Sequence, residues 1–455
     1  MTAATATTEG LVLPAEMEAA RVVPTPMAIF GLIFLTLAPF AWLTNNVRMI
    51  LSGIGVAIYV VVKPKTLSAH NFITSWPADK SRLRGIYLWL TLLFLHAIFC
   101  SVISAVILLP SGEVTKFDFL DRNGTQLISL LLTFLQVASG FHVAKYMKLR
   151  TIRTSIYLGF GTSIATSIYQ SFSNDYGLPY LGKEVFDPRV GLRPCGLAGE
   201  PKTLAVHLVV VLLLLLIDNQ PRQLRKLFGS FMRIAGIVLA VIFFVQASSG
   251  NGWISAVILV VLYFFFLSNM RTSLVGISLG LLSVILVVSS GQISLSEMQL
   301  RDNHKAIFDN LSNLDLGLFD DLIALPMMAW LDNPLNVLIG FGPGVLHFFA
   351  NRHLNQAEWL TGATYIDGNV SAITYISNFG LLVAAYMFVD VFRKGRRAVE
   401  CSKGSDERHI RIFFFASFVV GATVAGNTGC PFFLSAGCLL AMSSGARLDG
   451  GWQQA

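Results

Sequence analysis

Apolar residues in this chain are gathered into long blocks instead of alternating with polar residues. Blocks of about 20 apolar residues, separated by polar segments, are typical of helices that cross a lipid bilayer. If tilt and short ends are allowed for, the pattern predicts about twelve such spans. The predicted spans lie near residues 27–44, 47–62, 86–109, 125–143, 152–172, 203–217, 231–247, 252–268, 272–290, 369–391, 410–426 and 430–446.

The composition indicates the same class of protein. Of the 455 residues, 54% are hydrophobic and only 13% are charged, which excludes an ordinary soluble domain. We therefore predict an all-α fold, a polytopic transmembrane bundle. The net charge of +7 does not point to nucleic acid, because the basic residues fall in particular loops and leave no basic-aromatic patch.

The basic residues indicate the orientation of the chain, because Lys and Arg collect in every second loop. Such loops face the cytoplasm, so both termini are predicted to be cytoplasmic, and the loop that holds Arg193 and Glu200 is predicted to be external. The basic loops run from Lys63 to Arg84, from Lys145 to Arg153, from Arg222 to Lys226, through Arg271, and from Arg393 to Arg411.

Five regions follow from these spans. A cytoplasmic tail is predicted at 1–26, since this segment lacks the basic flank and cleavage site of a signal peptide. Nine spans occupy 27–290, a long acidic external loop occupies 291–368, three spans occupy 369–446, and a second cytoplasmic tail occupies 447–455. A loop of such length usually carries a function.

Part of the external loop has the spacing of an amphipathic helix. Apolar residues recur there on one side, with Asp320 and Asp321 on the other. The helix could lie on the membrane, cover a cavity or pack against the bundle, and spacing alone does not distinguish these positions. The apolar positions are Leu316, Phe319, Leu322, Ile323, Met327 and Trp330.

The segment from Arg193 to Thr203 leads directly into the sixth predicted span. Proline is favoured at the first position of a helix, so this helix is predicted to begin near Glu200 and Pro201. The N–H groups of its first turn have no partner within the helix, and Arg193 and Lys202 add positive charge beside them. Such a helix start favours an anion, for example a diphosphate.

Two glycines, Gly196 and Gly199, leave the backbone of this segment uncovered. Residues 196–203 nearly match a nucleotide-binding P-loop, but Pro201 stands where that loop needs its second glycine and has no amide donor. The P-loop is therefore excluded. An ordinary helix cap, with Arg193 at the lipid headgroups, is the open alternative to a ligand site.

Further along, Asn333-Pro334-Leu335 leads into Gly340-Phe341-Gly342-Pro343-Gly344, a turn too rich in glycine for a helix and suited to close backbone approach. His347 and Arg352 follow it. Asp367-Gly368-Asn369 then stands at the start of the tenth predicted span.

Three elements, in this order, resemble the O-antigen polymerase and O-antigen ligase superfamily. They are Arg193 with Gly196 and Pro201, Trp330 with Asn333-Pro334-Leu335 and the Gly340 to Gly344 turn, and Asn369 before Gly380. The resemblance implies a multi-helix, GT-C-like glycosyltransferase of the bacterial inner membrane with a large periplasmic loop. It also implies a metal-independent reaction on glycans carried by undecaprenyl diphosphate, with membrane lipids around the protein and a chain-length regulator as a candidate partner.

One departure from the superfamily pattern separates its branches. Ligases resemble one another in a histidine at the position that Asn369 occupies here. The interpretation as a polymerase is therefore favoured. The alternative interpretation is a ligase, which moves glycan to lipid A core. A twelve-helix transporter is the alternative from another class.

The transfer of a sugar from a lipid diphosphate needs stabilisation of the departing negative charge. A guanidinium can bind phosphate oxygens in a bidentate manner, so Arg193 is the first candidate for this role. The candidate diphosphate-binding residues are Arg193, Gly196, Pro201, Lys202, Gly342 and Gly344.

The acceptor hydroxyl also needs a proton acceptor. Asp367 is the first candidate because it lies beside Asn369, and His347 and Glu200 are the others. The alternatives are a helix cap for Asp367, a salt bridge to Arg193 for Glu200, and a solvated loop position for His347.

No metal or cofactor is predicted. Neither Asp118 with Asp121 nor Asp320 with Asp321 makes a convincing set of ligands for a cation. The five cysteines are scattered and show neither metal-ligand spacing nor a disulfide framework.

Overall fold

A computed structural model describes thirteen stretches of the chain. They are residues 25–40, 45–62, 80–112, 114–173, 186–187, 191–198, 201–217, 226–247, 250–263, 321–352, 371–402, 405–423 and 432–443. The predicted ninth span, both predicted tails except residues 25 and 26, and much of the predicted external loop lie outside these stretches. Glu200, Asp367 and Asn369 also lie outside them.

The described residues have an all-α fold, as predicted. Eight helices precede the predicted external loop: α1 (Pro26–Thr36), α2 (Asn45–Val62), α3 (Lys80–Leu108), α4 (Lys116–Tyr146), α5 (Leu149–Ser173), α6 (Pro201–Ile217), α7 (Lys226–Ala247) and α8 (Gly250–Leu262). Three lie within the predicted loop: α9 (Asp321–Asp332), α10 (Pro334–Ile339) and α11 (Leu346–Ala350). Four follow it: α12 (Ser371–Phe379), α13 (Leu381–Glu400), α14 (Ser405–Thr423) and α15 (Phe432–Met442).

A two-residue ladder interrupts the helices between α5 and α6. Strand β1 (Phe186–Asp187) pairs antiparallel with β2 (Gly191–Leu192), and Phe186 stands opposite Leu192. Arg193 follows β2 directly, so this ladder leads the chain into the candidate site.

Two of the described helices are long and apolar enough to cross a membrane. By length and composition they are Ile86–Leu108 and Lys116–Tyr146. Shorter apolar helices accompany them, and the twelve-span topology stays a prediction. The shorter helices are Pro26–Thr36, Val47–Val62, Pro201–Ile217, Phe231–Ala247, Gly252–Leu262 and Phe432–Met442.

Helix α3 presents a continuous apolar stripe to its surroundings. The stripe residues recur three and four positions apart, and each is more than half exposed. In a protein surrounded by water such a stripe would cost hydrophobic free energy along its whole length, whereas hydrocarbon solvates it. The stripe is typical of a surface that faces lipid. It consists of Leu88, Leu92, Leu95, Phe99, Val102 and Val106.

Helices α4 and α15 are packed unusually closely, because glycines face the partner backbone. A Cβ on Gly437 would lie 1.9 Å from Val137 O, and one on Gly140 would lie 2.0 Å from Leu434 O. The Cys438 thiol donates to the Gly140 carbonyl at 3.1 Å. Small residues at such crossings let two helices approach to backbone contact, as in membrane bundles.

The predicted tenth span, 369–391, is wrong as a single helix, because α12 ends and α13 begins at Gly380. Gly380 has φ of +80°, which glycine adopts without the strain that a side chain causes. Gly340, with φ of +109°, lies against it: a Cβ on Gly340 would lie 2.8 Å from Gly380 N. The backbone at the Gly340 break therefore lies directly against the backbone at the Gly380 break.

Candidate functional site

Arg193 lies at one end of the bundle and is only 5% exposed. Its Nε donates to the Ala247 carbonyl at 2.9 Å, and its Nη2 donates to the same oxygen. Ala247 is the last residue of α7, where helical carbonyls lack partners within the helix. The carbonyl thus orients one edge of the guanidinium and ties the loop to α7.

Gln170, on α5, holds the loop backbone in place. It is fully buried. Its Oε1 accepts hydrogen bonds from Cys195 N at 3.1 Å and from Gly196 N at 2.8 Å, and its Nε2 donates to Gly196 O at 3.2 Å. One side chain therefore pairs three backbone groups of the loop. Sequence reasoning missed this residue, although a glutamine inside a predicted span is the kind of polar group that signals a site.

Gly196 packs against the polar face of α5. Its φ is +54°, and a Cβ there would lie 2.9 Å from Ser167 Oγ and 3.0 Å from Ser163 Oγ. Ser163, Ser167 and Gln170 recur at helical spacing and are all fully buried. Because Gly196 has no side chain, its backbone can pack directly against α5. The binding of a diphosphate by Gly196 stays a prediction.

Helix α6 begins at Pro201, as predicted. Pro201 is buried and Lys202 is partly exposed in the same first turn. Two turns into the helix, the buried His207 has an Nε2 atom without a hydrogen-bond partner in the described part of the chain. The start of α6 therefore brings a cationic and a polar group to the end of the bundle that holds Arg193.

The start of α8 joins the same end. A Cβ on Gly252 would lie 2.6 Å from Ala205 Cβ, so the first turns of α6 and α8 touch. The Trp253 ring meets Phe244 of α7 with ring centroids 4.7 Å apart. We call the assembly of residues 193–198 with these ends of α5, α6, α7 and α8 the arginine rim.

The second motif element lies against Gly380 and helix α12, which belong to or precede the described part of the third element. The Trp330 Nε1 atom donates to Ser377 Oγ at 3.0 Å, and Phe341 N donates to Ser377 O at 2.6 Å. Together with Gly340 and Gly380, these contacts join the Gly340 to Gly344 turn to helix α12. We call this place the glycine crossing.

The same turn is inserted between α3 and α4. Asn123 Nδ2 donates to Ser101 Oγ and to Pro343 O, each at 2.8 Å. A Cβ on Gly342 would lie 2.7 Å from Ser101 N, and one on Gly344 would lie 2.6 Å from Gln126 Cγ. Gly342 and Gly344 thus allow the turn to approach α3 and α4 closely. The assignment of these two glycines to diphosphate binding stays a prediction.

The solvated loop position considered for His347 is wrong, because His347 is 6% exposed and lies in α11. Its Nε2 atom is 3.0 Å from Asn351 Nδ2, which donates to it. The role of His347 as a proton acceptor stays a prediction.

The arginine rim and the glycine crossing belong to different hydrophobic clusters. Ala198 and Leu204 pack in the largest cluster, whereas Phe341 and Val345 pack in a second cluster. Their convergence on one cavity therefore stays a prediction. Within the described ranges, no three His, Cys, Asp or Glu side chains come together as a set of metal ligands.

The Cys195 thiol gives a test of the rim geometry. Burial raises the pKa of Cys195, while hydrogen bonds from Gln170 and from its own backbone lower it in part. Because the thiolate is the reactive form, Cys195 should alkylate at least about tenfold more slowly at pH 8 than the exposed Cys401. Mass spectrometry after iodoacetamide treatment measures both rates. Unfolding in denaturant should remove the difference, and equal rates in the native protein would contradict the burial of the loop.

The glycine crossing is tested by Gly380→Ala. The Cβ would lie 2.3 Å from Leu338 O at a positive φ, so the unfolding free energy should fall by about 1–3 kcal/mol. Gly161→Ala is the matched control, since nothing lies within 4 Å of a Cβ at that helical position. Thermal unfolding in detergent compares the two variants. Equal stability of the two would mean that the helix breaks do not touch.

The resemblance to the O-antigen polymerase and ligase superfamily rests on the motif residues alone. No protein-family model matches this chain, and no curated protein or solved structure is significantly similar to it.

Proposed function

We propose that this chain is a glycosyltransferase of the bacterial inner membrane that polymerises glycans carried on undecaprenyl diphosphate. It would work on the periplasmic face and make O-antigen or a related exopolysaccharide. The observation that carries the proposal is the buried Arg193, oriented by the Ala247 carbonyl beside the start of α6.

The reaction needs a fixed positive charge more than it needs an acid. A lipid diphosphate already leaves readily, and a preorganised cation at the departing oxygens lowers the barrier further. Arg193 is held on one edge and lies in a largely water-excluded position, where charge interactions gain strength. The positive end of α6, with Lys202 in its first turn, adds to the same field.

The chemical step follows from these groups. A hydroxyl of the acceptor glycan attacks the anomeric carbon of the donor, and the bond from that carbon to the diphosphate oxygen breaks. Undecaprenyl diphosphate leaves with the bonding electrons, stabilised by Arg193, while the hydroxyl proton passes to a carboxylate or imidazole. Asp367 is the first candidate for this acceptor, and Glu200 and His347 are the others.

The opposite end of α6 supports the proposed periplasmic position. There Arg233 Nε donates to Leu215 O at 2.8 Å, and its Nη2 donates to Leu216 O at 3.1 Å. The basic segment from Arg222 to Lys226 follows the same helix end. Basic segments stay in the cytoplasm, so the arginine rim, at the other end of α6, would face the periplasm.

A transporter is the second candidate, and the glycine crossing is the observation that favours it. Helices that break near Gly340 and Gly380 and cross there resemble the discontinuous helices that line many transport sites. A flux assay in proteoliposomes that showed uptake of a lipid-linked glycan without any longer product would favour this reading over the polymerase.

The polymerase proposal is tested with purified protein in proteoliposomes and one lipid-linked repeat unit. A ladder of longer lipid-linked chains is the expected product. If lipid A core is present and receives single repeats without elongation, the ligase reading replaces the polymerase. If no glycan is transferred under either condition, while the protein remains folded, the glycosyltransferase proposal is wrong.

A further inference from the structure

A cavity of about 660 Å³ lies at the end of α6 opposite the arginine rim. The 17 residues of α6 span about 25 Å, and the cavity lies along the part of the helix from Val209 to Ile217. Helix α6 forms one side of the cavity and helix α8 forms a second side. The first turns of α14 close the cavity. The apolar walls include Val209, Leu213, Phe244, Ala256, Leu259 and Val260.

The mouth of this cavity carries polar and basic groups. Arg408 and His409, in the first turns of α14, line it together with Tyr263, which follows α8. Arg408 is exposed and His409 is partly buried. A tyrosine between an apolar wall and a charged rim is typical of the level at which lipid headgroups lie.

The acidic groups of the same turn are engaged with other bases. Glu407 forms a buried ion pair with Arg411, one turn further along α14. Asp406 Oδ1 lies 3.8 Å from Arg153 Nη2, on α5. Neither acid lines the cavity, whereas Arg408 does. Arg408 therefore contributes a positive field at the mouth.

Arg233 adds to this field. It donates to the carbonyls of Leu215 and Leu216 at the end of α6, and Leu216 is itself part of the cavity wall. The guanidinium offsets the negative end of the helix that would otherwise repel an anion.

We propose that this cavity binds one anionic glycerophospholipid. An acyl chain would lie between α6 and α8, and the phosphate would meet Arg408 and His409. The volume is within the range of small-molecule sites, and the pairing of long apolar walls with a cationic mouth matches a lipid better than a soluble anion. Anionic lipids are also attracted to the basic, cytoplasmic side of a membrane protein. The inference rests on the membrane placement in the proposed function and not on its glycan chemistry.

The test counts the lipids that the purified, full-length protein retains. The protein in mild detergent is incubated with phosphatidylglycerol or with phosphatidylcholine of the same chains, and native mass spectrometry reads the number bound. One phosphatidylglycerol should be retained, and phosphatidylcholine should be bound at least about fivefold more weakly. Arg408→Gln should weaken phosphatidylglycerol binding about fivefold, because it removes one cation from the mouth.

Two further variants separate the cavity from general surface attraction. Ala256→Phe would fill the apolar part without changing charge, and it should abolish retention. Arg396→Gln removes a cation from an exposed ion pair with Glu400, away from the cavity, and should have no effect. Folding is checked by size exclusion and circular dichroism.

Three results would overturn the inference. Equal retention of both lipids would indicate lipid bound all round the protein. Unchanged binding in both Arg408→Gln and Ala256→Phe would place the lipid elsewhere. Displacement of phosphatidylglycerol by an equal concentration of glycerol phosphate would assign the site to a soluble phosphate. Glycan elongation is measured separately, so failure of either proposal is distinguishable from failure of the other.

Discussion

Arg193→Ala should lower the rate of glycan elongation by about 10²- to 10³-fold, the loss expected when one preorganised group that stabilises an oxyanion is removed. The physical reason is that the departing diphosphate would lose its oriented guanidinium. The measurement is the initial rate of chain growth in proteoliposomes, with the amount of folded protein determined for each variant. The apparent affinity for the lipid-linked donor should also weaken.

Two controls make this result specific. Arg193→Lys keeps the charge but loses the planar fork, so it should retain more activity than the alanine variant. Arg150→Ala removes an exposed arginine at the start of α5 and should leave elongation unchanged. The Ala247 carbonyl loses its partner in Arg193→Ala, so thermal unfolding must accompany the assay. Normal elongation by a folded Arg193→Ala protein would contradict the assigned role.

Gly437→Ala should lower the free energy of unfolding by about 3 kcal/mol or more, at the upper end of the cost of overpacking. The added Cβ would lie 1.9 Å from Val137 O, which belongs to the backbone of α4 and cannot move aside as a side chain could. The two helices would have to separate along their whole contact. Thermal unfolding in detergent and the yield of monodisperse protein measure the effect.

Gly124→Ala is the matched control for this crossing. Gly124 lies on α4, as Gly140 does, but nothing stands within 4 Å of a Cβ there. Alanine is the better helix former, so this variant should be unchanged or more stable by up to about 1 kcal/mol. If Gly437→Ala were as stable as Gly124→Ala, the close packing of α4 against α15 would be wrong.

Much of the helical arrangement is predictable from the sequence, because runs of apolar residues and helix signals are local. The start of α6 at Pro201 follows from the chemistry of proline alone. The break at Gly380 is different, since the apolar pattern of 369–391 continues across it and glycine also occurs inside membrane helices. Its positive φ arises from the crossing with Gly340, which is forty residues earlier in the chain.

Only part of the arrangement around Arg193 is predictable from the sequence. A charged residue beside an apolar block marks Arg193 in the sequence, but nothing local indicates that Gln170 holds the loop or that Ala247 receives the guanidinium. Because His347 follows a glycine-rich turn, the sequence predicts a loop residue at this position. In the structure the turn is inserted between α3 and α4, and His347 lies in α11. These relationships depend on tertiary packing, which residue spacing does not encode.

The role of the arginine rim in binding the lipid diphosphate is tested by photocrosslinking. An undecaprenyl diphosphate analogue with a photoreactive group next to the diphosphate is irradiated with the purified protein, and the crosslinked peptides are identified by mass spectrometry. We expect crosslinks to residues 193–203 that are lost in Arg193→Ala and are displaced by unlabelled undecaprenyl diphosphate. Crosslinks confined to the opposite end of α6, near Leu216 and Arg408, would contradict this role.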